Sequence, residues 1–333
     1  MMRMLAICLL STCLAQGQTV TKYSFQRPEM GSPFTITLYS ADSAAAAAAA
    51  MAAFRKAEEL NAILSDYIDS SEINRLSATS GGHRWVPVSP PLFDILRRSV
   101  QAAILSEGSY DITIGPVVRL WRKARKTQQF PDSTLLHEAL ARTGYHLLHL
   151  DSATHSVWLE KEGMQLDVGG LGKGFVAQAA LDLLRQQGQP IAMVNAGGKI
   201  VLGQVPPGKK GWLIGINAPG EKETLFPAFL LLKEMAVATS GDIYQYVELN
   251  GKRYSHIVDP RTGIGLTRRR NVTALAPDGT DADWLATACS VLPWRKSLQL
   301  IRKIPGAALL VTEMKNGKIS SKYSPGFRNY LQK

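Results

Sequence analysis

Four glycines fall within the six positions after Val168 in the segment DVGGLGKG, Asp167 to Gly174. Without a Cβ, glycine lets backbone approach a ligand closely, and a helix beginning here would aim its N-terminal N–H groups at a phosphate. The spacing does not fit a GxGxxG dinucleotide fingerprint, and Gly174 after Lys173, in place of Ser or Thr, excludes a Walker loop. On its own residues the segment is either a phosphate or nucleotide site or a glycine-rich turn that caps a helix.

Two later segments could complete such a site. In TDADWLATA, Thr280 to Ala288, Asp283 and Thr287 stand four apart and share one face of a helix. A carboxylate with a hydroxyl suits a hard cation such as magnesium, with carbonyls, water and phosphate filling its other positions. Thr280 and Asp283 also stand at capping-box spacing, and on these residues alone helix initiation is the favoured reading. In TSGDIYQYVELNGKRYSHIVDPRTG, Thr239 to Gly263, His256 could act as a general base near neutral pH, or be a structural strand histidine. His146 and His149, three apart in a strand-like run, point to opposite faces and do not read as a zinc pair. No GxSxG nucleophile elbow occurs.

These residues need a scaffold, and 333 residues allow one large domain or two closely packed lobes. Asp42-Ser43 caps a helix that runs through seven alanines to about Leu64. Further helices are expected over about 90–107, 133–142, 172–188, 280–292 and 295–303. Strands are expected at Phe34 to Ser40, Leu147 to Leu150, Val157 to Leu159, Ile191 to Asn195, Tyr244 to Leu249 and Lys252 to Val258. Asn250-Gly251 and Asn316-Gly317 mark hairpin turns. Helices packed on a largely antiparallel sheet, an α+β fold, is the architecture implied.

The net charge of +11 is scattered through RKARK, Lys209-Lys210 and RRR, with no RNA-binding or zinc-finger pattern. That describes a solvated basic surface, or a field that favours an anionic cofactor or an acidic membrane. The first 17 residues carry Arg3, an apolar stretch and small residues at Ala15 to Gly17, as a signal peptide does. Leu10 to Cys13 forms an imperfect lipoprotein box, so a lipid anchor on Cys13 is the alternative to simple secretion. Cys8 and Cys13 lie in this leader, which leaves residues 18–333 with Cys289 alone, an apolar-run cysteine expected to be a buried small hydrophobe.

Taken in order, the blocks MGSPF, LSDYIDSSEINRL, GSYDITIGPVVRLW, DVGGLGKGF, VNAGGKIVLG, GWLIGI, TSGD, YSHIVDPRTG and DADWLATA resemble the ApbE family, the FAD:protein FMN transferases. They run from about residue 28 to 312. The resemblance implies an ApbE-like α+β fold for residues 18–333 and an enzyme that moves the FMN half of FAD onto a Ser or Thr hydroxyl with magnesium, releasing AMP. By position it assigns FAD contacts to Met30, Tyr67, Ser109, Tyr110, Asp111, Asp167, Lys173, Ile257 and Ala286. It assigns the metal to Gly170, through its carbonyl, with Asp283 and Thr287, and the base to His256. The implied partner is an exported flavoprotein, such as a subunit of an ion-pumping redox complex, met on the periplasmic side of the inner membrane. FAD pyrophosphatase activity and non-catalytic FAD binding are the competing functions. Three positions depart from the pattern: Gln178 where Asp is common, Arg122 where Gly is common, and Gly172 for a usual Ala.

Overall fold

The computed structural model describes residues 20–217, 225–241, 245–315 and 318–332. The leader with Cys8 and Cys13, Asp242 of the TSGD block, Tyr244 and the Asn316-Gly317 pair lie outside the described residues.

An eight-stranded sheet forms the centre. Its strands follow the order Thr21–Glu29, Ser32–Ser40, Ala192–Ala196, Lys199–Leu202, Ala236–Ser240, Arg270–Ala276, Ala308–Lys315 and Lys318–Tyr323. Every neighbouring pair is antiparallel. Alternation along the strands divides the side chains between two cores. Val272, Ala274 and Ala276 face the larger, helix-covered core, whereas Leu275 joins a second cluster with Leu202, Trp212, Leu230 and Val237. The α+β class read from the residues holds.

Eight helices are described: α1 (Ser43–Leu64), α2 (Glu72–Ser77), α3 (Pro90–Leu105), α4 (Gly115–Thr127), α5 (Ser133–Ala141), α6 (Gly172–Gln186), α7 (Gly279–Val291) and α8 (Trp294–Arg302). The alanine run is helical as expected, with the Asp42 carboxylate accepting from the N–H groups of Ala44 and Ala45. Asn250 and Gly251 both take positive φ, 52° and 70°, the geometry of a tight hairpin turn.

Some elements were not foreseen. The strand Thr21–Glu29 and helix α2 have no counterpart in the elements expected from sequence, and α4 occupies the end of the GSYDITIGPVVRLW block and the basic RKARK cluster, where no helix was expected. Yet Val117, Trp121 and Ala124, all buried, recur at helical spacing behind Pro116, and that periodicity was available. The start of α7 also differs from the capping-box alternative. Asp278 caps the helix by accepting from the N–H groups of Thr280 and Asp281, which leaves Asp283 inside the helix and fully buried.

Helices α6 and α7 meet at their N-termini. A Cβ on Gly174 would lie 2.1 Å from the Gly279 carbonyl oxygen, so only two glycines permit this approach. The helices then cap each other: Gly174 N–H donates to Asp283 Oδ2 at 2.9 Å, and Gly279 N–H donates to Gln178 Oε1 at 3.0 Å. Gln178, one of the departures, is thus part of the joint. Gly174→Ala is expected to destabilise the fold by about 2 kcal/mol or more, because the clash is with backbone and neither helix can yield cheaply. Urea unfolding checks this, and a midpoint unchanged from wild type would refute the close-approach argument.

Candidate functional site

The α6–α7 joint gathers oxygen atoms from segments far apart in sequence. Asp283 lies in the second turn of α7, its Oδ2 held by Gly174 N–H. Its Oδ1 is buried and makes no hydrogen bond; Lys199 Nζ, 3.1 Å away, is an ionic neighbour without hydrogen-bond geometry. One turn on, Thr287 Oγ1 lies 3.2 Å from the Gly170 carbonyl oxygen and 3.4 Å from Ser240 Oγ. Gly170 has no room for a side chain, since a Cβ there would sit 2.9 Å from the Tyr110 ring. A carboxylate oxygen lacking a hydrogen bond, a hydroxyl and a carbonyl form a donor set that fits a hard divalent cation. Among the described residues no group of three or more His, Cys, Asp or Glu could hold a metal ion. A cation here would therefore complete its shell from water and substrate phosphate.

Two lysines surround these oxygens. Lys199 donates to the Thr239 carbonyl at 2.8 Å, besides neighbouring Asp283. The Lys173 ammonium has its pKa lowered by burial first and by Lys199 second, against the opposing attraction of Asp283. Together they offer positive charge beside the N-terminus of α6, where a pyrophosphate would be favoured. Lys199 escaped the sequence reading because a lysine in a short strand carries no local signal; its block, VNAGGKIVLG, was noted only as part of the family pattern.

Because Lys199 sits on the one carboxylate of the oxygen set, it should compete with a cation. Lys199→Met is expected to tighten magnesium binding about tenfold, because it removes a like charge 3.1 Å from the Asp283 oxygen that would hold the cation. Calorimetric titration with magnesium alone reads this, and an unchanged affinity would sink the competition.

His256 lies in the bend between the strands Lys252–Ser255 and Val258–Asp259, not within a strand. Its Nδ1 is 3.0 Å from the Gln245 carbonyl oxygen. A carbonyl only accepts, so Nδ1 carries the proton and Nε2 is left with its lone pair. Burial pushes the imidazole down to about 4, the Gln245 carbonyl opposes this, and the charges of Arg125, Lys199 and Lys173 push the same way as burial. The ring is therefore neutral at physiological pH, the protonation state a general base needs.

The remaining residues divide by what they present. Met30, in a left-handed turn, brings its methyl within 3.9 Å of where a Cβ on Gly172 would lie, so it borders the glycine loop. Tyr67 is 72% exposed with Arg122 Cζ 4.1 Å from its ring centre. Asp167 accepts from Gly169 N–H at 2.7 Å and from Arg122 Nη2 at 2.9 Å. By contrast, Ser109, Tyr110 and Asp111 are buried. Ser109 Oγ donates to the Ser106 carbonyl, and the Asp111 carboxylate accepts from Thr113 N–H, Thr113 Oγ1 and Tyr145 N–H. Of the three, Tyr110 reaches the glycine loop, its ring 2.9 Å from where a Cβ on Gly170 would lie. Ala286 is fully buried in α7 between Asp283 and Thr287. Ile257 lines a cavity of about 310 Å³ with Arg268, Arg270 and Ser290; His256 does not line it. Cys289 is buried, and burial holds its thiol up to about 12, which makes it inert as expected.

The chain resembles a family of known proteins over most of its length. A family model described as the ApbE family matches residues 30–311. An FAD:protein FMN transferase of Klebsiella pneumoniae is 32% identical over 90% of this chain and 92% of its own length. One of Treponema pallidum is 33% identical over 91% of this chain and 88% of its own. Among solved structures, the flavin transferase ApbE of Vibrio cholerae superposes with a TM-score of 0.83 at 26% identity, covering 94% of this chain and all of that one. The apo flavinyl transferase ApbE of Pseudomonas stutzeri gives 0.81 at 26% identity, with coverages of 93% and 97%.

Proposed function

The chain belongs to the ApbE family of FAD:protein FMN transferases, and we propose that it transfers FMN from FAD, with magnesium, to a Ser or Thr hydroxyl of an exported flavoprotein and releases AMP. The observation that carries this reading is the convergence of Asp283, Gly170 and Thr287 oxygens with two lysines at the helix joint.

In the reaction, Lys173 and Lys199 with the first N–H groups of α6 bind the pyrophosphate and orient its FMN-side phosphorus. Nε2 of His256 takes the proton of the acceptor hydroxyl, whose oxygen forms the new phosphodiester bond as the P–O bond to AMP breaks. Asp283, Thr287 and the Gly170 carbonyl would hold the magnesium ion, which when bound supplies charge neutralisation at the phosphate oxygens. Asp167 and Tyr67 line the approach to the loop and suit the flavin or adenine end of FAD. The apolar leader with Cys13 supports action on the periplasmic side of the membrane, lipid-anchored or secreted.

The test supplies the purified chain with FAD, magnesium and a Thr-containing acceptor domain. A covalently fluorescent acceptor with stoichiometric AMP is expected. AMP with free FMN and no labelled acceptor would make the protein an FAD pyrophosphatase, and FAD that binds yet stays intact would make it a binding protein.

A further inference from the structure

Arg122, at the edge of the site, engages two carboxylates and an aromatic ring. It projects from α4 with Nη1 2.5 Å from Asp66 Oδ2 and Nη2 2.9 Å from Asp167 Oδ2. Its Cζ lies over the Tyr67 ring, 4.1 Å from the centre. One guanidinium therefore joins three segments: the turn after α1 that carries Asp66 and Tyr67, helix α4, and the loop from Asp167 to Gly170.

Arginine suits this place and lysine does not. The planar fork reaches two carboxylates at once while its central carbon lies over an aromatic ring, and an ammonium cannot do both together. Both carboxylates are mostly buried, at 11% and 8% side-chain exposure. Burial raises the Asp167 pKa, the Asp66 charge raises it further, and Arg122 opposes both. Without the arginine, the two acidic groups would repel each other and an incoming dinucleotide. The charges of Arg119 and Arg125 also act on Asp167, but among the described residues it is Arg122 that forms the ion pair with it. Tyr67 is 72% exposed, so much of it stays accessible with Arg122 against the ring.

We propose that Arg122 is a positioning residue for FAD, fixing the Tyr67 ring against the Asp167 loop so that its accessible part receives a planar ring of the dinucleotide. The inference rests on the proposed function for its ligand. The ring platform and the pyrophosphate loop then have a set separation, since the same Asp167 that Arg122 holds also accepts from Gly169 N–H. A platform with a fixed face binds a flat ring at lower entropic cost than a freely rotating tyrosine. The same clamp neutralises the acidic pair before the anionic substrate arrives.

The test compares wild type with Arg122→Gly, Arg122→Lys and the double variant Asp66→Asn/Arg122→Gly, by calorimetric binding of FAD and by steady-state kinetics. Arg122→Gly should raise the FAD dissociation constant and KM about tenfold or more, the scale of a lost charge-assisted pair, with kcat at saturating FAD within about threefold of wild type. Arg122→Lys should recover little of the affinity. Removing one of the two carboxylates in the double variant should recover part of it, which simple loss of packing would not allow. Wild-type FAD affinity in Arg122→Gly, or a fall in kcat at unchanged KM, would overturn the proposal. So would a double variant no better than the single one. Failure of the wild-type protein to bind FAD at all would instead overturn the function on which the proposal rests, and this inference with it.

Discussion

Asp283→Asn is expected to lower metal-dependent AMP release about a thousandfold, the scale on which losing one group that stabilises developing charge reduces turnover. Asparagine keeps the side-chain shape and an oxygen for the Gly174 N–H, so the α6–α7 joint survives. What it removes is the charge beside Lys199 and the unbonded Oδ1 that fits a cation. Alanine is the poorer probe. It would leave Lys199 without its buried partner and the Gly174 N–H without an acceptor, a stability loss of about 3–5 kcal/mol that would be mistaken for chemistry. Magnesium titration and AMP release read the two roles separately. Turnover that keeps its wild-type magnesium dependence in the asparagine variant would remove Asp283 from the metal site.

His256→Ala should cut the rate of acceptor labelling by about 10²–10⁴-fold, the usual contribution of a general base, while FAD binding changes little. Its pH behaviour follows from the direction of its shift. Burial lowers the imidazole to about 4 from the ordinary 6.5, so in the free protein the basic form prevails at every pH above about 4. Lowering the pH from 8 to 5 therefore should not protonate it, and the acid limb of kcat/KM lies below 6.5. Bound FAD brings negative charge among Lys173, Lys199 and Arg125, which favours the imidazolium and moves the acid limb of kcat upward. Paired profiles of kcat/KM and kcat check both signs. A kcat/KM limb at or above 6.5 that disappears in the alanine variant would contradict the neutral, pre-formed base.

Local chemistry made much of this protein legible without coordinates. The Asp42 cap and alanine run, the Asn250-Gly251 turn, and the helices before Gly144 and after Leu171 each depend on residues within a few positions of one another. Propensity and capping act over that range, so the pattern and the structure agree. Disagreement is also local where two caps compete. The Thr280–Asp283 pair offered a start for α7, and its spacing did not show that Asp278 would cap the helix by accepting from the N–H groups of Thr280 and Asp281.

The assembled site is another matter. From the residues alone, DVGGLGKG was as much a turn as a phosphate loop, Asp283 was more readily a cap than a ligand, and His256 was more readily a structural strand histidine than a base. Order of blocks, not spacing, linked them to a family. The fold shows why spacing failed: Gly174 and Asp283 are 109 positions apart, and Gly170 and Thr287 are 117 apart. Contacts at that separation are set by how α6 and α7 pack on the sheet, with no short-range signature. Lys199 and Arg122 illustrate this most clearly, because a charged side chain reads as solvated surface until a buried carboxylate is found at its end. Residue type and local spacing determined which elements form and which groups can do chemistry; only the packing of distant elements decided which of those groups meet.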